Sequence, residues 1–206
     1  MPSWKTSIFK RKHMEQQKKQ KLSRKARFCA WLLRKKGWTC DSGLIPEKRA
    51  IVLGVPHTSF KDFIIAYLFY TSLDGVAHVM IKKEFFFFPV GWFLRRVGCI
   101  PVDRSNSAAL VKSLIEEMNK AEQFHLAIAP EGTRKPVKRW KAGFHLIARE
   151  TGVPVYAGYY DWGTKHVGIG ERFELTDDPK ADLQRLQAHY ETLHLKGRNP
   201  EGYITH

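Results

Sequence analysis

The chain has 206 residues, 43% hydrophobic and 27% charged, which suits one globular domain with an extra segment and excludes a chain too polar to fold. Its 35 Lys and Arg residues outnumber its 20 acidic residues and give a formal net charge of +15. Residues 1–40 hold 13 of the basic residues and a single acid, so the rest of the chain, with a balance of +3, is nearly neutral. The basic segment predicts a polyanionic partner, either a nucleic-acid backbone or an anionic lipid surface.

The first predicted element is a helix over residues 14–36. Its first half is almost purely polar, and its second half sets Phe28, Trp31 and two leucines among six Lys and Arg side chains. This mixture is typical of an amphipathic helix that lies on an anionic membrane surface. The alternatives are a solvated basic tail and a nucleic-acid arm, and the arm lacks a recognised nucleic-acid-binding motif. We therefore expect a membrane-surface segment over residues 1–40, a folded domain over residues 41–206, and no nucleic-acid partner.

From residue 49 onward, short apolar runs alternate with helical patterns. The predicted strands are 50–55, 76–81, 98–102, 125–129, 153–160 and 166–175. The predicted helices are 60–72, 105–124, 140–150 and 178–195. The last strand is expected to be antiparallel or at an edge. Pro101 weakens the prediction of strand 98–102, because proline has no N–H to donate to a neighbouring strand. This alternation predicts an α/β fold with a mostly parallel sheet flanked by helices.

The segment FFFFPVGWF, residues 85–93, has two interpretations. Basic side chains flank its rings on both sides: Lys82, Lys83, Arg95 and Arg96. A helix of this sequence in the core would place bulky rings in every direction, which is hard to pack. On the surface, the same rings would contact a membrane or an acyl chain. The sequence leaves both a buried helix and an exposed patch open.

The cysteine pattern and the hydropathy bear on the compartment. Cys29, Cys40 and Cys99 are odd in number and lack metal-site spacing, which predicts a reducing compartment without a disulfide framework. No secretory signal pattern is visible, and no window reaches 18 apolar residues. We therefore expect a protein attached peripherally at the cytoplasmic face of the membrane, with no metal site and no bound cofactor.

The stretch PHTSFKD, residues 56–62, directly follows the apolar run IVLGV. Ser59 and Asp62 fit the capping box of a helix start, but that pattern leaves His57 unexplained. His57 lies just past the end of a strand, where parallel α/β sheets bind ligands. If His57 lies in the turn before the helix, the Asp62 carboxylate can hold one imidazole nitrogen and leave the other as a proton acceptor. The sequence therefore predicts a general base, His57, with Asp62 as its orienting acid.

Two further groups of residues also follow strand ends. The stretch APEGTRKP contains Glu131, Gly132, Thr133 and Arg134, and its glycine can take a positive φ. Backbone amides in such a turn, together with an arginine, can form an anion site. Arg104 follows the strand GCIPV in the same way, and arginine suits bidentate phosphate recognition. For either arginine taken singly, a charged surface cluster is the alternative.

Together these blocks resemble the glycerolipid acyltransferases, the family that includes 1-acylglycerol-3-phosphate acyltransferase. The blocks are HTSFKD at 57–62, GCIPVDR at 98–104, PEGTR at 130–134 and VPV at 153–155. The segment WKAGF at 140–144 also looks like the one that follows the third block in that family. The resemblance covers roughly residues 50–160, and the first and third blocks form its specific pair.

The resemblance implies that His57, oriented by Asp62, deprotonates an acceptor hydroxyl, which attacks the thioester of an acyl-CoA or an acyl-carrier protein. Arg104 and residues 131–134 would shape the acceptor site and hold its phosphate, and residues 153–155 would lie near the acyl groove. A thioester requires a base, positioning and oxyanion stabilisation for this reaction, and no metal. We therefore expect an O-acyltransferase of phospholipid biosynthesis that acylates a lyso-lipid, first of all 1-acylglycerol-3-phosphate.

One departure from the family pattern leaves the acceptor open, because Pro56 stands where the family often has Asn. A lipid without a phosphate, such as an N-acylated amino acid, would place a carboxylate at Arg104 and Arg134. A non-catalytic lipid-binding module is the other alternative, and the joint presence of His57 and Asp62 argues against it.

Overall fold

The structure, a computed structural model, describes residues 22–103 and 105–204, and within them seven strands form one sheet. The strands are Thr39–Cys40 (β1), Arg49–Leu53 (β2), Ala77–Lys82 (β3), Cys99–Val102 (β4), Phe124–Ile128 (β5), Val155–Asp161 (β6) and His166–Phe173 (β7). Their order across the sheet is β1-β7-β6-β2-β5-β3-β4. Strands β2 to β6 run parallel, whereas β7 is antiparallel to β6 and parallel to β1. The predicted mostly parallel sheet is confirmed.

Helices cover both faces of this sheet. In the described part of the chain the α-helices are Arg24–Lys35 (α1), Phe60–Ser72 (α2), Val90–Arg96 (α3), Ser107–Lys120 (α4), Gly143–Thr151 (α5) and Pro179–Thr192 (α6). The central strand β2 supplies both cores, because successive side chains of a strand point to opposite faces. Ile51 and Leu53 join one buried cluster, and Ala50 and Val52 join the other. The result is a three-layer α/β/α domain.

Each helical layer buries an apolar stripe against the sheet. Helices α4, α5 and α6 contribute the buried side chains Leu114, Met118, Phe144, Ile147 and Leu186 on one face. Helices α1 and α2 contribute Cys29, Leu33, Ile65 and Phe69 on the other face. Apolar burial of this kind is the dominant favourable contribution to folding, at roughly 25 cal/mol per Å².

Helix α1 is the described part of the predicted N-terminal helix, whose first residues lie outside the described residues. Its inner face buries Ala26, Cys29 and Leu33 against the domain. Its outer face leaves Phe28 and Trp31 58% and 45% exposed, with their rings stacked at 5.7 Å between centroids. The predicted amphipathic helix is thus present over Arg24–Lys35, and its contact with a membrane stays a prediction.

The segment 85–93 is exposed, so its interpretation as a buried helix is wrong. The Phe88 side chain is 88% exposed and that of Trp92 64%, and Phe85, Phe87 and Phe93 are exposed as well. We call these five side chains the aromatic patch. The rings point outward because this stretch is a one-turn 3₁₀ helix, Lys83–Phe85, followed by the short helix α3, which buries only Gly91 and Leu94.

The remaining differences from the predicted elements are small. Helix α2 has the predicted bounds, and β4 accommodates Pro101 because it is an edge strand, where a missing N–H donor costs no ladder hydrogen bond. Strand β1 was not predicted, because two residues are too few to show a periodicity. None of the helices in residues 22–103 and 105–204 is long and apolar enough to cross a membrane.

Candidate active site

His57 and Asp62 meet at the carboxyl end of β2. The imidazole Nδ1 lies 3.4 Å from the Asp62 Oδ2, with the carboxylate fully buried and the His57 side chain 27% exposed. With Nδ1 turned toward the carboxylate, Nε2 on the far side of the ring is the nitrogen that can meet a substrate. The two residues that the sequence paired are therefore brought together in space.

The Asp62 carboxylate is held from several directions. Its Oδ2 accepts hydrogen bonds from the backbone N–H groups of Thr58 at 2.8 Å and Ser59 at 2.7 Å. The Ser59 hydroxyl in turn accepts from the backbone N–H of Lys61 at 3.2 Å, which completes the predicted capping box of α2. The Asp62 Oδ1 accepts from the indole N–H of Trp162 at 2.8 Å. Donors on both oxygens fix the orientation of the carboxylate relative to the imidazole.

Glu131 supports the main chain of His57 from the neighbouring strand end. Its Oε1 accepts the backbone N–H of His57 at 2.8 Å, and its Oε2 has no hydrogen-bond partner among the described residues. Burial raises the pKa of Glu131 to about 7; backbone N–H donors oppose this shift and the Asp62 charge adds to it. Glu131 therefore changes charge near neutrality, and its hydrogen bond stabilises the turn that carries His57. Its predicted part in the acceptor site stays a prediction.

The turn after β5 carries the other three residues predicted around Glu131. Gly132 has a φ of +68°, a backbone conformation that favours glycine. The Thr133 hydroxyl accepts the backbone N–H of Lys135 at 3.2 Å, which shapes the turn, and Arg134 is exposed. These three residues lie beside the His57 turn because β5 pairs directly with β2.

Arg104 lies outside the described residues, so its predicted place in the acceptor site stays a prediction. The residue before it, Asp103, pairs with Lys83 and accepts hydrogen bonds from Ser105. The Lys83 hydrogen bond holds the pKa of Asp103 well below its ordinary value, so this carboxylate is charged near neutrality.

The last described segment of the chain packs against the turn after β2, which sequence analysis did not foresee. Asn199 donates to Thr58 twice, from its backbone N–H to Oγ1 at 3.3 Å and from Nδ2 to the carbonyl oxygen at 3.2 Å. A Cβ at Gly197 would come within 2.6 Å of the Thr58 side chain, so this close approach requires glycine. A Cβ at Gly202 would lie 3.1 Å from the Arg134 carbonyl oxygen and 3.2 Å from Thr58. The segment thus bridges the turns after β2 and β5.

The contacts of Thr58 and Asn199 had no local signal in the sequence, since 141 positions separate the two residues. Trp162 had one signal, because it directly follows Asp161 at the end of β6. The site residues predicted from the sequence were identified by the same kind of position, directly after a predicted strand of the parallel sheet. A search of every strand end for hydrogen-bond donors would therefore have included Trp162.

The arrangement suits proton abstraction next to an anion site. The imidazole of His57 is paired with a carboxylate and partly exposed, and a glycine turn with an exposed arginine lies on the adjacent strand end. Within residues 22–103 and 105–204, no three His, Cys, Asp or Glu side chains form a group that could hold a metal ion. The residues present can take a proton from a hydroxyl group and bind a phosphate or a carboxylate.

Comparisons with known proteins give the family and the fold of the chain. A model of the Acyltransferase family matches residues 39–161, more than half of the chain. The structure is similar to the crystal structure of the 1-acyl-sn-glycerophosphate (LPA) acyltransferase PlsC from Thermotoga maritima, with a TM-score of 0.53 and 18% identity over 84% of this chain and 80% of that chain. At this identity the likeness shows a shared fold. A search of curated proteins gave no significant match. The chain belongs to the Acyltransferase family, as its resemblance to the glycerolipid acyltransferases predicted, and it is an acyltransferase.

Proposed function

We propose that this acyltransferase moves a fatty acyl group from an acyl thioester, carried by coenzyme A or an acyl-carrier protein, to the hydroxyl of a lyso-lipid. The first candidate acceptor is 1-acylglycerol-3-phosphate, which would place the enzyme in phospholipid biosynthesis. The observation that carries the proposal is the 3.4 Å approach of the His57 Nδ1 to the Asp62 carboxylate at the carboxyl end of β2. In an Acyltransferase family member, such a pair can supply the base that the transfer requires.

In the proposed reaction, the His57 Nε2 accepts the proton of the acceptor hydroxyl while the hydroxyl oxygen attacks the thioester carbonyl carbon. The carbonyl oxygen becomes an oxyanion as the new C–O bond forms. When the carbonyl re-forms, the C–S bond breaks, and the leaving sulfur takes the proton from the His57 imidazolium. The products are an ester and a free thiol, and His57 is neutral again. Asp62 holds the imidazole tautomer and stabilises the imidazolium between the two proton transfers.

The acceptor's anionic group is proposed to bind at the turn after β5. Support comes from the positive φ of Gly132, the exposed Arg134 and the pairing of β5 with β2 beside His57. Backbone amides of a glycine turn and a guanidinium both suit a phosphate. Thr133 would border the same turn, and Arg104, which follows β4 in the sequence, enters the proposal as a second guanidinium.

Peripheral membrane attachment is also part of the proposal. The aromatic patch is exposed, and two of its neighbours are cationic: Arg95 lies 5.2 Å from the Phe86 ring centroid and Arg96 lies 5.5 Å from that of Trp92. Aromatic rings beside arginines fit the interface of an anionic bilayer, where each cation adds about 1 kcal/mol. The exposed rings of α1 and the basic composition of residues 1–21 also support membrane attachment.

The proposal is tested by incubating the purified protein with palmitoyl-CoA or a palmitoylated carrier protein and a panel of lyso-lipids, with product identification by mass. We expect acylation of 1-acylglycerol-3-phosphate. Acylation only of an acceptor with a carboxylate, such as an N-acyl amino acid lipid, would overturn the phosphate acceptor and retain the reaction. Vesicle binding without acylation of any acceptor would favour the lipid-binding module.

A further inference from the structure

A cationic cleft lies on the side of His57 away from the Gly132 turn. The cleft has a volume of about 680 Å³, within the range of about 300–1,000 Å³ that small-molecule sites occupy. It is formed by the end of α1, the first turns of α2, the β6–β7 hairpin and the segment after α6. Only the part from α2 falls within residues 39–161, which the family model matches.

The cleft is lined by cations without a matching acid. No Asp or Glu among the described residues borders it. Five basic side chains do: Lys36, Lys61, Lys165, Lys196 and Arg198. Asp62 and Asp161, each next to a lining residue in the chain, are buried and accept hydrogen bonds from Trp162 and from backbone N–H groups. A concave surface with one sign of charge concentrates ligands of the opposite sign.

The cleft also has an apolar floor that touches the proposed catalytic pair. Trp38 and Trp162 meet edge to face at 5.0 Å between ring centroids, and Ile64 and Ile65 border them. Arg198 lies 4.9 Å from the Trp162 ring centroid, which presents the guanidinium on the cleft side of the indole. The indole N–H of the same side chain donates to the Asp62 carboxylate. One tryptophan therefore separates the cleft from Asp62.

We propose that this cleft binds the phosphate groups of the acyl donor, namely the nucleotide part of coenzyme A. The ligand's identity rests on the proposed function; the anion site itself rests on the lining residues. The proposed transfer joins two phosphate-bearing substrates, and His57 lies between two cationic regions because β5 and β6 flank β2 on opposite sides. The Gly132 turn would serve the acceptor, and the cleft the donor. A phospholipid headgroup is the other source of the same phosphate-ester chemistry.

The test compares the wild-type chain with the double variant Lys165→Gln/Arg198→Gln, using calorimetry with free coenzyme A, dephospho-coenzyme A and pantetheine. The two cations are exposed, so the variant is expected to fold with an unchanged Tm. Loss of two charge-assisted contacts should weaken coenzyme A binding by at least about tenfold. The matched control is Lys112→Gln/Lys120→Gln, which removes the same charge from the exposed side of α4 and should leave the affinity unchanged. Lys61→Gln is a third variant, expected to weaken binding on its own.

Vesicle binding and kinetics separate the two phosphate sources. We expect the double variant to bind phosphatidylglycerol vesicles like the control variant. We also expect it to raise the KM for palmitoyl-CoA with little change in kcat, and to leave transfer from palmitoyl-pantetheine unaffected. Unchanged coenzyme A affinity, a loss confined to vesicle binding, or no measurable binding of coenzyme A to the wild type would each overturn the proposal.

The failure of this inference and that of the proposed function are distinguishable. If the wild type binds coenzyme A through Lys165 and Arg198 but acylates no lyso-lipid, the proposed function fails and the anion site stands. If acylation proceeds and the double variant binds coenzyme A as tightly as the wild type, the cleft assignment fails and the proposed function stands.

Discussion

At the scale of single residues, Asp62 has two structural tasks. Its Oδ2 accepts the backbone N–H groups that open α2, and the same oxygen lies 3.4 Å from the His57 imidazole. Trp162 holds the other oxygen. Helix capping therefore fixes the carboxylate where the proposed orienting acid would lie, so the capping and catalytic interpretations of Asp62 are compatible.

Asp62→Asn should separate these tasks. The amide keeps the shape of the side chain but removes the charge that favours the productive imidazole tautomer, so kcat should fall by about 10²- to 10⁴-fold. The weakened capping should lower the free energy of unfolding by about 1–3 kcal/mol. Steady-state kinetics and denaturant unfolding measure the two effects. Trp162→Phe, which removes only the indole donor, is the control and should lose far less activity; an equal loss would argue against Asp62 as the orienting acid.

Glu131 gives a prediction on pH. Its pKa, raised by burial to about 7, lies above the value of about 4.5 expected in the unfolded chain. Between these two values the folded state binds more protons than the unfolded state, so stability is full below about pH 4.5 and is lost as the pH rises toward 7. The full loss should amount to about 3 kcal/mol.

The measurement compares denaturant unfolding of the wild type and Glu131→Gln at pH 5 and pH 8. Glutamine can still accept the His57 N–H through its amide oxygen but does not titrate. The variant should therefore lose less stability than the wild type over this interval. Equal pH dependence in the two proteins would show that Glu131 is not the titrating group.

At the scale of elements, regular segments with capping or strong hydrophobicity were predictable from the sequence. Helix α2 was predicted with its observed bounds because Ser59 and Asp62 mark its start. The burial of residues 85–93 could not be predicted from the sequence, because the same rings are compatible with a buried helix and with an exposed patch. The structure decides this, since the short helix α3 buries only Gly91 and Leu94. Trp162 could be found by its position after a strand, but its pairing with Asp62 and that of Asn199 with Thr58 join residues at least 100 positions apart, which no local pattern predicts.

The aromatic patch carries an element-scale prediction. Replacing Phe88 and Trp92 by serine should weaken binding to anionic vesicles at least about 100-fold, since each large apolar side chain contributes roughly 1.5–3 kcal/mol when buried. The Tm should change little, because both side chains are already exposed in the folded protein. Vesicle sedimentation measures the binding. The control is Leu146→Ser/Leu193→Ser, at two exposed leucines away from the patch; a comparable loss there would contradict a specific role for the patch.

The N-terminal segment needs two separate deletions. Removing residues 1–21 takes away seven Lys and Arg residues and one acid, and it should weaken binding to anionic vesicles without changing the Tm. Removing residues 1–36 also takes away Ala26, Cys29 and Leu33, which α1 buries against the domain, and it should lower the Tm. Thermal unfolding and vesicle sedimentation check both. An unchanged Tm after the longer deletion would mean that α1 does not stabilise the domain.

At the scale of the whole molecule, the parallel sheet places the residues of the candidate site and of the cleft along one edge. The ends of β6, β2 and β5 carry, in that order, Trp162 beside the cationic cleft, His57 with Asp62, and the Gly132 turn. The last described segment bridges the turns after β2 and β5 through Thr58. Residues far apart in the chain meet here because the carboxyl ends of parallel strands share an edge.

The most direct test of the central claim is acyl transfer from palmitoyl-CoA to 1-acylglycerol-3-phosphate by the wild type and His57→Ala, with the product quantified by mass. We predict a diacylated product from the wild type and at least about a 10³-fold lower rate from the variant, because no other group replaces the lost base. The Tm and vesicle binding of the variant should match those of the wild type. Transfer by His57→Ala at the wild-type rate would contradict the account.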